Sequence, residues 1–174
     1  LSIDKLLNNS KYMFFLTKEI TFCLSQTSSP FSKSKSAFGG TPLGSSSSLE
    51  STGSANALLH GTLVRGDLAD QSSLEQVFSQ HNFEAVVHFA ASISVPESVT
   101  NPLDYYSNNT RNTLNLLRCC QKFGVNKFVF SSTAAVYGEP QENPVSESCP
   151  TNPINPYGCS KLMSERMIRD YGLS

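Results

Sequence analysis

The chain has 174 residues, of which 39% are hydrophobic and 16% charged, the proportions of one globular domain with an ordinary core rather than of a fibrous or wholly disordered chain. A net charge of -1 gives no electrostatic reason to expect nucleic acid or an anionic membrane as a partner, which leaves a small molecule as the expected ligand. The five cysteines are odd in number and none forms a C-x-x-C pair, so reduced thiols in a cytoplasmic protein are expected rather than zinc or disulfides.

No metal is expected, because His60, His81 and His88 are far apart and lack acidic or thiolate neighbours at ligand spacing. Residues 12 to 24 form the longest apolar stretch near the start. Lys18 and Glu19 interrupt it, so it is too broken for a membrane span. Within it, Met13-Phe14-Phe15-Leu16 and Ile20-Thr21-Phe22-Cys23-Leu24 are each compatible with a short buried strand or with parts of one helix. The first residue is Leu, and the chain stops at Ser174 just after a helix-like segment, the expectation for an incomplete gene product.

Residues 25 to 54 are dominated by Ser, Gly, Thr and Pro around the run Ser45-Ser46-Ser47-Ser48, a composition that reads as loop or disorder. From about Thr62 short β-rich runs alternate with helical segments, the pattern of βαβ units and a parallel sheet. Leu63-Val64-Arg65-Gly66-Asp67 reads as a strand, followed by a helix whose start is signalled by Ser72 with Glu75 as a capping box. Ala85-Val86-Val87-His88-Phe89-Ala90 is the next strand, apolar on both faces as parallel strands tend to be.

Asn101-Pro102 is a helix-start pair, and the helix it opens is expected to kink near Asn108-Asn109 before running through Leu114, Leu117 and Cys120 to Gly124. Lys127-Phe128-Val129-Phe130-Ser131 is a third strand. Asn155-Pro156 opens a last helix ending near Gly172, with Leu162, Met163, Met167 and Ile168 expected at core-facing positions.

That last helix carries the chemistry. Residues four apart share a helical face, so Tyr157 and Lys161 in Tyr157-Gly158-Cys159-Ser160-Lys161 are expected to serve one site. A tyrosine hydroxyl of ordinary pKa, about 10, is a poor base at neutral pH, and a nearby ammonium favours the phenolate. A strand ending in Ser131-Ser132-Thr133 lies twenty-four residues earlier, and open α/β sheets place ligands outside the carboxyl ends of their strands.

Thr133-Ala134-Ala135-Val136-Tyr137-Gly138 followed by Pro156-Tyr157-Gly158-Cys159-Ser160-Lys161 resembles the S/T…Y-x-x-x-K site of the extended short-chain dehydrogenases/reductases, and within them the UDP-glucose 4-epimerases. Further matches are Gly66-Asp67-Leu68, His88-Phe89-Ala90-Ala91, Pro96-Glu97-Ser98-Val99 and Tyr105-Tyr106-Ser107-Asn108-Asn109, so the resemblance covers residues 49 to 174. It implies an α/β fold, a partial Rossmann-type doubly wound parallel sheet. Residues 1 to 54 are then an atypical or disordered segment, residues 55 to 174 part of an NAD-binding domain, and the substrate domain is absent.

The resemblance implies Tyr157, Lys161 and Thr133 as catalytic residues, with Thr133 and Tyr157 also touching substrate. It implies cofactor contacts from Asp67 and Leu68 at the adenine, from Phe89, Ala90 and Ala91 along the fourth family strand, from Asn108 beside the nicotinamide half, and from Tyr157 and Lys161. For Phe89 the plain alternative is core packing. NAD is the implied cofactor, a UDP-sugar the implied substrate, and a homodimer the implied assembly of the full-length enzyme.

Two departures stand against activity in the chain by itself. The family's G-x-x-G-x-x-G turn follows its first strand, whereas Gly39-Gly40 and Gly44 lack that spacing, and Ser48 falls where the ribose-binding acid belongs. In a sheet of order 3-2-1-4-5-6 the family's first two strands lie between those read here as residues 63 to 67 and 85 to 90. The candidates to fill that gap are residues 12 to 16 and 20 to 24.

Overall fold

The computed structural model describes residues 12–15, 20–24 and 62–174. The expectations for the serine-rich loop, Gly39-Gly40, Gly44, Ser48 and His60 lie outside the described residues. Five strands form one sheet of order β3-β2-β1-β4-β5: β1 Tyr12–Phe15, β2 Ile20–Leu24, β3 Thr62–Gly66, β4 Ala85–His88 and β5 Phe128–Phe130. The apolar segments near the start are thus two strands, and they occupy the gap between β3 and β4.

The sheet is not wholly parallel. β1 pairs parallel with β4, in register from Tyr12↔Ala85 to Phe15↔His88, and β4 pairs parallel with β5. β2 runs antiparallel to both β1 and β3. The cause is connection length: four residues separate Phe15 from Ile20, whereas two parallel neighbours need a crossover of a dozen or more. The expected α/β sheet of Rossmann type is present with its second position reversed.

Helix α1, Gln71–Gln80, is capped by Asp70, whose carboxylate accepts from the Ser72 and Ser73 N–H groups and is held down to about 2, the Ser73 hydroxyl contributing most. The capping box expected of Ser72 with Glu75 is not formed: Ser72 lies inside the helix, and Glu75 accepts from Lys122 and Gln71. The cap is Asp70, an ionised carboxylate being a stronger acceptor than a hydroxyl. After β4 come α2 Val95–Thr100, with Ser94 as N-cap and Pro96 in the first turn, and α3 Pro102–Tyr105. The expected kink is a π-helical turn, Tyr106–Arg111, in which Asn112 N–H reaches back five residues to Ser107 O. It leads into α4, Asn112–Phe123, which ends at Gly124 in the left-handed conformation (φ 71°) that glycine adopts without strain.

A 3-10 turn, Ala134–Tyr137, follows β5, and α5 spans Pro156–Leu173 with Asn155 as N-cap, its Oδ1 accepting from Gly158 N at 2.8 Å. α4 packs against both α1 and α5. The core, built on Leu74, Phe78, Val86, Leu116, Cys119 and Val125, lies between this helical layer and the sheet, with Val64 and Phe128 packed on it from the strands. Among the described residues the helices represent one winding of the doubly wound arrangement.

Candidate active site

Four strands, β3, β1, β4 and β5, point the same way, so their carboxyl ends share one edge of the sheet. Asp67 follows β3, Phe89 to Ser92 follow β4, and Ser131 to Thr133 follow β5, with Ser131 N–H tied to His88 O at 3.0 Å. Thr133 caps the 3-10 turn, its Oγ1 accepting from Ala135 N at 3.2 Å.

Gly158 brings that turn to α5. A Cβ built there would meet Ala135 O at 2.6 Å and Pro153 Cβ at 2.9 Å, so the missing side chain is what lets the first turn of α5 lie on the Thr133 turn. Tyr157 sits at this junction, half-buried, with Tyr105 edge-on to its ring at 6.4 Å. Tyr105 is itself buried and donates to Glu97 Oε2 at 3.0 Å, and burial raises its pKa, which keeps it a donor. Tyr157 and the Thr133 turn thus meet at this junction, with Lys161 one turn further along α5.

One turn on, Lys161 is only 3% exposed, with its Nζ 4.2 Å from the centroid of the Phe130 ring. Burial pulls its pKa down to about 8 while Glu165 opposes the shift, so the ammonium prevails at neutral pH. Beneath it, buried His88 places Nε2 3.0 Å from Thr113 Oγ1, whose own hydroxyl donates to Asn109 O at 2.6 Å. Desolvation, reinforced by Lys161, holds His88 down to about 3, so its imidazole is uncharged at neutral pH.

The apolar face expected on α5 is not the buried one. Met163 is 47% exposed and Leu162, Met167 and Ile168 are half-buried, whereas Gly158, Ser160, Lys161 and Ser164 are buried. Small residues let α5 approach the π-turn closely, and hydrogen bonds replace apolar packing there. Asn109 Nδ2 donates to Ser160 Oγ and to Ser92 O, both at 3.0 Å, and Asn109 Oδ1 accepts from Ser92 N at 2.8 Å. One buried amide therefore joins the loop after β4 to the helix that carries Tyr157 and Lys161.

Asp67 and Asn108 line a common cleft of about 370 Å³ with Ala69, Ser92, Tyr105 and Asn112. Asn108 Nδ2 donates to Ser92 Oγ at 3.0 Å. Phe89 is 42% exposed at the edge, which excludes the core alternative. Leu68 and Ala90 are buried in the core, and Leu68 O accepts from Asn115 Nδ2 at 3.1 Å. Ala91 is half-buried beside them. Sequence reading missed Asn109 as a tether and Tyr105 as the wall against Tyr157. Both lay inside quoted motifs, but nothing in their spacing announced the role.

Residues 40–174 match the family model described as GDP-mannose 4,6 dehydratase. The chain belongs to that family. The hairpin of β1 and β2 lies outside the matched residues. A UDP-glucose 4-epimerase from Azospirillum brasilense is 58% identical over 110 residues, 63% of this chain and 32% of that protein. Among solved structures, the UDP-Glc/GlcNAc 4-epimerase of Campylobacter jejuni is 58% identical with a TM-score of 0.61, over 62% of this chain and 33% of the other. The UDP-glucose 4-epimerase of Bifidobacterium longum, solved with NAD+ and UDP, is 45% identical with a TM-score of 0.61, over 63% and 33%. The chain spans about a third of the length of the relatives it matches. Among the described residues no helix is long and apolar enough to cross a membrane, and no cluster of three or more His, Cys, Asp or Glu is placed to hold a metal ion.

Proposed function

We propose that the Thr133, Tyr157 and Lys161 site is that of an NAD-dependent 4-epimerase acting on a UDP-sugar, UDP-glucose and UDP-galactose being the pair interconverted. NAD when bound supplies the hydride acceptor and returns the hydride, so the net reaction is an inversion at C4. Tyr157 takes the proton of the 4-hydroxyl as hydride leaves and gives it back after the 4-keto sugar has turned over. The Lys161 ammonium favours the phenolate form, and the Thr133 hydroxyl steadies the sugar oxygen.

The observation that carries this reading is the turn after Thr133. A dehydratase requires an Asp-Glu pair there to remove water, and Ala134 and Ala135 stand in its place, with Ala135 O pressed against Gly158. Neither can move a proton, so the site has the base for oxidation at C4 without the groups for elimination. In this reading Asp67, Phe89 and Asn108 contact the dinucleotide, which the shared cleft of Asp67 and Asn108 and the exposure of Phe89 support. Support from relatives is direct: the similar Bifidobacterium longum enzyme is an epimerase solved with NAD+ and UDP. A homodimer and a cytoplasmic location belong to the same proposal.

Residues 62–174 grafted into the Azospirillum brasilense relative in place of its matched segment test the reading. Interconversion of UDP-glucose and UDP-galactose without net NAD consumption is expected, and Tyr157→Phe should lower turnover by about two to four orders of magnitude with NAD still bound. A 4-keto-6-deoxy product, or near-normal turnover of the variant, overturns it. A second reading, an inactive remnant of such an enzyme, is favoured for the chain by itself by one observation: the antiparallel hairpin in the first two sheet positions.

A further inference from the structure

Lys161 poses a physical problem. Its side chain is almost wholly out of water, and an ammonium so placed needs compensation for lost hydration. Among the described residues Lys161 takes part in no salt bridge and no side-chain hydrogen bond. The salt bridge present joins Lys122 to Glu75 at 2.6 Å, and Glu165, one turn beyond Lys161, accepts from Ser132 Oγ. What Nζ does face is the ring of Phe130, 4.2 Å from its centroid and well inside the range of a cation–π contact. The same ring lies 5.5 Å from that of His88. Burial keeps that imidazole neutral, so no second cation competes for the aromatic face.

We propose that Phe130 is a positioning residue for Lys161: its ring face holds the ammonium at the carboxyl end of β5 and so fixes where the positive charge stands relative to Tyr157. The inference rests on the functional reading of Lys161 above, but its geometry is independent of it. An aliphatic side chain at position 130 would pack against the methylene stem of Lys161 as well as a ring does, yet would offer nothing to the charge. An aromatic replacement would offer both. The two substitutions therefore separate packing from charge recognition.

The test is NMR of the full chain with ¹³Cε-labelled lysine, the Lys161 signal being assigned by its loss in Lys161→Arg. A ring face over the ammonium should shift the Lys161 Hε protons upfield of the other lysines and give a nuclear Overhauser contact to the Phe130 ring. Phe130→Leu should return the signal to the common lysine position, and Phe130→Tyr should keep it upfield. A wild-type Lys161 signal at the common position without the contact overturns the proposal, even if Phe130→Leu does not fold. So does an upfield signal that persists in a folded Phe130→Leu. If the contact is present while Tyr157→Phe in the grafted enzyme keeps its turnover, the positioning stands and the functional reading falls.

Discussion

Gly158→Ala is the sharpest probe of how the site is assembled, because two effects of the same substitution have opposite signs. Adding a methyl to a helical glycine ordinarily stabilises by about 0.4–1 kcal/mol through the unfolded chain. At Gly158 the new Cβ would stand 2.6 Å from Ala135 O, a backbone atom that no rotamer change can move, and ordinary contact begins at 3.4 Å. The first turn of α5 and the Thr133 turn must therefore part by about 0.8 Å, the difference of those distances. Overpacking of this kind costs about 1–3 kcal/mol, and subtracting the entropic gain at mid-range leaves a net loss of about 1.3 kcal/mol. With a urea m-value of about 2 kcal/mol/M, the midpoint should fall by about 0.6 M at unchanged m. Gly172 on the same helix is the internal control: nothing lies within 4 Å of its Cβ position, so Gly172→Ala should be neutral or stabilising. Urea unfolding of the three chains decides the matter. A Gly158→Ala chain as stable as wild type would show that the turn and the helix are not in close contact.

Asn109→Ala removes the amide that joins Ser92 to Ser160 and leaves the half-buried Ser92 N–H and C=O without that partner, while Ser160 Oγ keeps its bond to Tyr157 O. A loss of about 1–3 kcal/mol is therefore expected in denaturant unfolding. A loss under about 1 kcal/mol would refute the tether. Lys161 is depressed by burial from 10.5 to about 8, so between those pH values its own contribution to stability should rise with pH, set against the fall that the raised Cys119 and Cys120 thiols contribute above about 9. Lys161→Met should lose that rise, and equal slopes of urea midpoint against pH in the two chains would contradict it. Cys119 and Cys120 are pushed up to about 11 and about 12 by burial, so mapped alkylation at neutral pH should leave both unmodified until the chain is unfolded.

What the sequence made legible were features with a strong local cause. Asn155-Pro156 offers a side-chain acceptor and a preset φ, and the last helix starts there. Gly124 ends α4 because its left-handed backbone is open to glycine. That Tyr157 and Lys161 stand one turn apart on α5 follows from helical periodicity alone. Features set by tertiary contact were hidden. The six-residue α2 is too short for periodicity to reveal, although Ser94 and Pro96 mark its start. On α5 the apolar residues suggested the wrong buried face, because the inner face is built from small residues whose hydrogen bonds, not their hydropathy, seat them. The Asn108-Asn109 pair read correctly as a break in regular helix, but that Asn109 turns inward to join two elements depends on residues seventeen and fifty-one positions away.

The hairpin separates two requirements that the fold usually meets together. Completing the sheet needs only extended backbone in register, since ladder hydrogen bonds are made by groups every residue carries. β1 and β2 meet that need, pairing with Ala85–His88 on one side and Thr62–Gly66 on the other. Binding a pyrophosphate needs a helix N-terminus directly after the first strand, with glycines that admit the ligand to its N–H groups. Four residues between Phe15 and Ile20 are fewer than the dozen or more that a helical crossover needs, and β2 returns antiparallel where a second parallel strand would bring the ribose-binding acid to the same edge. The cofactor contacts proposed for Asp67, Asn108 and Tyr157 include none to the pyrophosphate. The 174-residue chain should therefore fold without binding NAD tightly. Calorimetric titration should give a dissociation constant well above micromolar, and NAD at about a hundred micromolar should leave the thermal midpoint unmoved. A constant at or below about 1 μM, about -8 kcal/mol, would mean that a hairpin can stand in for the glycine turn, and the separation argued from its length would fail.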